Sequence, residues 1–252
     1  DENDDGVADD HQAISEGYGV RVSFIGHDLH GIIRGLDGRL YFSIGDRGYY
    51  VTDAAGKVHE GSGRGAVFRC ESDGSGLEVH AMGLRNPQEL AFDDHGNLFT
   101  FDNTGDIGDR ARIVYVLENT DSGWDMSHQS PHHYRRVLDW GQFHPSRAMW
   151  VAEQMFDTYR KEQPQWVYPP VGHVANGPSG VAWLTGESVP EDLRGQFLLT
   201  NYRGAPGGSN TLAVQLETKG AGFHLKGARE VISGVAAADV ELGYDGRLYF
   251  AD

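Results

Sequence analysis

The sequence has no run of about 18 or more apolar residues, the length a helix needs to cross a bilayer. Nor does it open on a basic, apolar leader: its first residues are Asp1-Glu2-Asn3-Asp4-Asp5. Its single cysteine, Cys70, excludes an internal disulfide and a thiolate metal cluster, and fits cytoplasm or periplasm equally. Positive charge is scarce. Lys and Arg number 21 against 37 Asp and Glu, a formal charge of −16, which argues against nucleic-acid binding and suits a solvated exterior with cation sites. Glycine is abundant, 35 of 252 residues, as a fold with many tight turns requires. The length allows one all-β domain with a sizeable core.

Four strand-turn-strand units lie over one another. The first runs through Gly31-Ile32-Ile33, a turn at Asp37-Gly38, and Leu40-Tyr41-Phe42-Ser43-Ile44. The second is Glu89-Leu90-Ala91-Phe92, His95-Gly96, Leu98-Phe99-Thr100-Phe101, and the third joins Gly180–Leu184 to Gln196–Thr200 by a longer turn. The fourth, Val240–Leu242 and Leu248–Phe250, repeats the first hairpin closely: Asp37-Gly38-Arg39-Leu40-Tyr41 returns as Asp245-Gly246-Arg247-Leu248-Tyr249. Alternating apolar residues around Asp-Gly turns predict hairpins. Leu40 and Leu98 are 58 residues apart, and Gln196 and Arg247 are 51 apart. Periods near 50 suit a β-propeller with elaborated loops. Segments 66–70, 77–80, 112–117, 211–216 and 223–225 read as its outer strands.

About four blades are expected in this chain and six in the full protein, since Leu248–Asp252 reads as a blade just begun. Residues 1–16 read as an acidic linker or part of a calcium loop, with the propeller over 17–252. Residues 127–168, rich in Trp, His and Pro with helical character near 149–159, read as an insertion. Its His128, His132, His133 and His144 do not have the spacing of a zinc site.

In a propeller, residues before the first strand and after the second strand of every blade converge on one rim. That places His27, Asp28, His30, Asp46 and Arg47 together on the first blade, and Arg85, Asn86, Gln88, Asp102, Asn103, Asp106 and Asp109 on the second. The third adds His173, Asn176, Ser179, Asn201 and Arg203, and the fourth adds Asp239 and Asp252. The opposite ends of the same strands carry only hairpin turns, so the rim is the expected functional face. Asp102-Asn103-Thr104-Gly105-Asp106-Ile107-Gly108-Asp109 is a loop of hard oxygen donors, the ligand type calcium takes. Arg85, Asn86 and Gln88 suit a planar polyanion, which a guanidinium can pair bidentately. The plainer reading is a turn before a strand, with Arg85 paired to Asp102.

At these residues the chain resembles the soluble quinoprotein glucose/sorbosone dehydrogenases, six-bladed propellers that use pyrroloquinoline quinone (PQQ) and calcium. Two segments carry the likeness: His27 to Gly48, ending Ile44-Gly45-Asp46-Arg47-Gly48, and Arg85-Asn86-Pro87-Gln88. More closely, the chain is similar to the propeller of large planctomycete-type membrane-bound dehydrogenases, where Gly-Leu-Arg-Asn-Pro, Gly-Asp-Arg-Gly and Asp-Ser-Gly-Trp recur. The resemblance implies a calcium-dependent oxidoreductase acting on a sugar or polyol. In it His27 is the general base and Asp46 its partner, with His30 the rival base. Arg85, Asn86, Gln88 and Arg203 hold the quinone, and Asp102, Asn103 and Asp109 hold calcium. It also implies an extracytoplasmic, periplasmic location and a c-type haem electron acceptor. No lysine stands where the glucose dehydrogenases set one against the quinone.

Two other functions fit a propeller rim. A calcium-dependent lactonase or other hydrolase would centre its metal on Asp46, Asp102, Asp239 and Asn176. A non-enzymatic propeller would bind a glycan or a protein.

Overall fold

A computed structural model describes residues 2–22, 26–105, 109–126, 154–158, 160, 162 and 165–252. Among these the chain is an all-β propeller, and its blades follow the repeats read from sequence. Blade 1 has β1 (Leu29–Arg34) innermost and β2 (Leu40–Ile44) beside it. The hairpin β3 (Tyr49–Thr52) and β4 (Val58–Gly61) comes next, before the outer strands β5 (Gly65–Cys70) and β6 (Glu78–Leu84). Blade 2 consists of β7 (Pro87–Phe92), β8 (Leu98–Asp102) and β9 (Arg112–Tyr115). The short β10 (Thr120–Asp121) then crosses back and pairs parallel to β6 on the edge of blade 1. Blade 3 is the four-stranded sheet β11 (Pro178–Leu184), β12 (Gln196–Asn201), β13 (Asn210–Lys219) and β14 (Gly222–Ser233). Blade 4 starts with the hairpin β15 (Asp239–Leu242) and β16 (Leu248–Ala251).

The repeat extends to the backbone. In blades 1, 2 and 3 the inner strand carries one extra residue toward its rim end, between His30 and Ile33, Pro87 and Leu90, and Pro178 and Val181. Such a bulge bends the strand and re-aims the residues before it, and here those are the rim residues. The far ends of blades 1 and 4 close on one turn chemistry. The Asp37 carboxylate accepts from the Arg39 N–H and the Tyr41 hydroxyl, and Asp245 accepts from Arg247 and Tyr249 in the same way. An aspartate bonding two residues ahead fixes the turn itself.

Blades pack through alternate residues of each strand, because successive side chains point to opposite faces. From β8, Leu98 joins the cluster shared with blade 1, while Phe99 and Phe101 meet Val181, Phe197 and Leu199 of blade 3. Each such buried side chain contributes about 1.5–3 kcal/mol. The other face of blade 1 is covered locally: Tyr18 and Tyr49 set their rings edge-on against Phe68 at 5.3 and 4.8 Å. Tyr18 belongs to the stretch after the expected acidic linker, so residues near it seal this face. The insertion read over 127–168, with His128, His132, His133, His144 and most of its helical stretch, lies largely outside the described residues.

Inner strands β1, β7, β11 and β15 neighbour one another in chain order. They approach at backbone distance: a Cβ on Gly180 of β11 would lie 2.4 Å from the Asp239 Cα of β15. There the Glu89 side chain of β7 hydrogen-bonds to that of Asp239. Burial, then the Asp239 charge, pushes the Glu89 carboxyl from 4.5 up to about 8. The folded chain therefore keeps a proton that the unfolded chain releases, and stability falls as pH rises from 4.5 to about 8. Glu89→Gln is expected to flatten that fall. Unfolding midpoints measured across this range should converge at the acid end and favour the variant at the alkaline end. Parallel curves would show that Glu89 does not hold the proton.

Candidate functional site

The rim brings His27 and Asp46 together as expected. His27 Nδ1 and Asp46 Oδ1 are 2.7 Å apart, with the residues 4% and 0% exposed. A carboxylate can only accept, so the proton of the neutral ring sits on Nδ1 and the basic lone pair on Nε2. His30 is placed differently. Its Nε2 lies 2.8 Å from the Gly26 carbonyl, which also accepts from Gln88 Nε2 at 3.3 Å. Both side chains thus hold the turn that carries His27. Of the two histidines, His27 thus pairs with a buried carboxylate, whereas His30 anchors main chain.

Blade 2 adjoins this pair through main chain: the Asp46 N–H donates to the Arg85 carbonyl at 2.7 Å. Arg85 and Asn86 are 3% and 2% exposed, and the Arg85 guanidinium carbon lies 5.7 Å from the Trp124 ring centroid. The Asn86 Oδ1 is buried without a hydrogen-bond partner among the described residues. It sits beside His27, since a Cβ on Gly45 would lie 2.8 Å from both Asn86 Oδ1 and His27 Cα. A buried amide oxygen left unpaired is costly, and a ligand N–H or a water satisfies it.

Asp102, read from the sequence as a calcium ligand, turns its carboxylate to protein donors. Its Oδ1 accepts from the main-chain N–H of Arg85 at 2.9 Å and of Asn86 at 2.8 Å, and its Oδ2 accepts from Arg112 Nη2. The carboxylate is fully buried and both oxygens are engaged. Arg85 meets it through main chain, not through the guanidinium as the plainer reading of the sequence had it. Arg112 lies directly across the strand pair from Asp102. That cross-strand pairing of opposite charges is the signal in the sequence that finds it. Asn103 and Asp109 serve the loop itself, accepting from the Thr104 and Gly105 N–H groups. Asp106 lies outside the described residues. Among the described residues no three His, Cys, Asp or Glu side chains gather as a metal site.

Blade 3 repeats the Asp102 motif without charge. The Asn201 Oδ1 accepts from the Asn176 and Gly177 N–H groups at 3.1 and 3.0 Å, and its Nδ2 donates to Asn210, its cross-strand neighbour. Arg203 is exposed, and its main-chain N–H donates to Ser209; among the described residues no hydrogen bond or ion pair joins it to the His27–Asp46 pair.

Residues 1–252 match the model of a family described as Domain of unknown function (DUF7133). The chain belongs to that family. No curated protein matches it. Among solved structures it is similar to an oxidoreductase (glucose dehydrogenase) of Thermus thermophilus, at 20% identity and TM-score 0.54 over 87% of this chain and 57% of that one. It is also similar to the PQQ-bound aldose sugar dehydrogenase of Streptomyces coelicolor, at 19% and 0.51 over 84% and 52%. A soluble aldose sugar dehydrogenase of Escherichia coli matches at 14% and 0.51 over 91% and 80%. The chain thus spans little more than half the length of the first two. At these identities the likeness establishes the all-β propeller fold.

Removing either partner of the Asp102–Arg112 pair strands a buried charge, which costs about 3–5 kcal/mol. Urea unfolding of Arg112→Ala, Asp102→Ala and the double variant is expected to show that the double loses much less than the sum. A double variant that loses the full sum would mean the two side chains act independently.

Proposed function

We propose that this chain carries the site of a quinone-dependent dehydrogenase acting on a sugar or other polyol, with His27 as the general base. The observation that supports this reading most is the buried His27–Asp46 pair, which fixes the tautomer with the lone pair on Nε2. When bound, PQQ supplies an oxidant that takes up hydride and so turns a CH–OH carbon into a carbonyl. His27 Nε2 takes the hydroxyl proton, and Asp46 holds the ring and the charge it gains. Arg85 and Asn86 are the residues to hold the planar anionic cofactor. The unpaired Asn86 Oδ1 marks where a donor belongs. Gln88 acts through the turn at Gly26, and Arg203, exposed on blade 3, is the further cation to meet the cofactor's carboxylates.

The dehydrogenase reading needs no metal on Asp46 or Asp102. A hydrolase centred on those carboxylates would need both open, yet His27, Trp124 and Arg112 engage them. Calcium enters the proposal only through Asn103 and Asp109. Calcium is then expected to raise the unfolding midpoint of the protein but not of Asp109→Ala, and a midpoint unmoved by calcium would remove the metal. The extracytoplasmic location and the haem acceptor follow from the same reading.

The deciding experiment adds PQQ to the full-length protein, titrates its absorbance and follows dye reduction over a panel of sugars. General-base catalysis is worth roughly 10²–10⁴-fold, so His27→Ala is expected to lower turnover at least a hundredfold while PQQ still binds. Failure of the wild type to bind PQQ would overturn the proposal.

A further inference from the structure

One buried donor at the rim belongs to a residue that rim register does not reveal. Trp124 follows β10, is 1% exposed, and donates its indole Nε1–H to Asp46 Oδ2 at 3.0 Å. The two oxygens of Asp46 thus meet two different partners, the imidazole on Oδ1 and the indole on Oδ2. A carboxylate rotates easily about its last torsion. Two directed bonds, each strengthened by the charge they share, leave it one orientation.

The indole is held just as firmly. Its main-chain N–H donates to the Gly83 carbonyl at 2.8 Å, and Arg112 Nη1 donates to the nearby Ser122 carbonyl at 2.6 Å. Gly105 makes room for the ring: a Cβ there would lie 2.6 Å from Trp124 Cζ3. That close approach gives the glycine a purpose independent of any metal in its acidic loop. The same ring carries the Arg85 guanidinium at cation–π distance.

We propose that Trp124 is a positioning residue that locks the Asp46 carboxylate toward His27 and seats Arg85, so that one indole sets both base and cofactor clamp. This inference rests on the reading of His27 as base. Phenylalanine in its place would keep the ring for Arg85 and lose the donor for Asp46, so the two duties separate by substitution.

The test is NMR of the full chain labelled with ¹⁵N-histidine and ¹⁵N-tryptophan, together with PQQ titration. In the wild type the His27 Nδ1–H and Trp124 Nε1–H signals are expected to exchange slowly with solvent. Trp124→Phe should speed exchange of the His27 Nδ1–H on the order of tenfold and change PQQ affinity by less than about threefold. Trp124→Leu should also weaken PQQ binding by about tenfold, through loss of the cation–π contact. Gly105→Ala should shift the indole signal and speed His27 exchange without removing either partner. Unchanged His27 exchange in a folded Trp124→Phe protein would overturn the proposal. Should that variant not fold, Asp46→Asn decides: a Trp124 Nε1–H signal that does not move also overturns it. Failure of the wild type to bind PQQ would remove the dehydrogenase reading and leave the exchange results to stand on their own.

Discussion

The rim depends on the ion pair between Asp102 and Arg112. Neither charge is solvated by water, so each must be satisfied by protein. Asp102 takes the N–H groups of Arg85 and Asn86, while Arg112 reaches the carbonyls of Ser122 and Gly83. Those four groups fix the turn into β7 and the segment that delivers Trp124. Asn201 and Asn210 hold the equivalent turn of blade 3 with amides alone, so a charge is not needed to close such a turn. On blade 2 the guanidinium adds reach, because only its forked donors bridge Asp102 to two separate main-chain segments.

Much of the architecture was legible in the sequence. Alternating apolar residues around Asp-Gly and His-Gly turns located three of the four inner hairpins, because an aspartate that bonds two residues ahead works locally and repeats wherever the turn repeats. Register then put His27 opposite Asp46, a contact spanning 19 residues within one blade. The signal failed where a partner comes from elsewhere. Trp124 is 78 residues from Asp46 and reaches it only because the chain doubles back to pair β10 with β6. Asp102 looked like a metal ligand because its loop is rich in oxygens. Its actual partner, Arg112, follows from strand pairing rather than from the loop. Arg203 holds a matching position on another blade, where its side chain stays exposed.

The sealed face of blade 1 shows the same limit. Tyr18 and the β3–β4 hairpin cover Phe42 and Phe68, yet nothing in the repeat pattern assigns them to a blade. Repeats report what recurs. Covers, straps and crossing segments occur once, and their partners emerge only from packing.

The His27–Asp46–Trp124 chain stands beside a boundary. Histidine and aspartate belong to blade 1, the arginine and asparagine beside them lead into blade 2, and the indole hangs on a strand that ties the two together. Arrays of similar units open at their seams at a lower free energy than complete unfolding requires. Parting these two sheets by a few ångströms would leave every hairpin folded and the chemistry dismantled. The rim then acts as a gauge of cohesion between neighbouring units, and exchange of the Asp46 amide, which bonds the Arg85 carbonyl at the entry to blade 2, should report that opening before any blade melts.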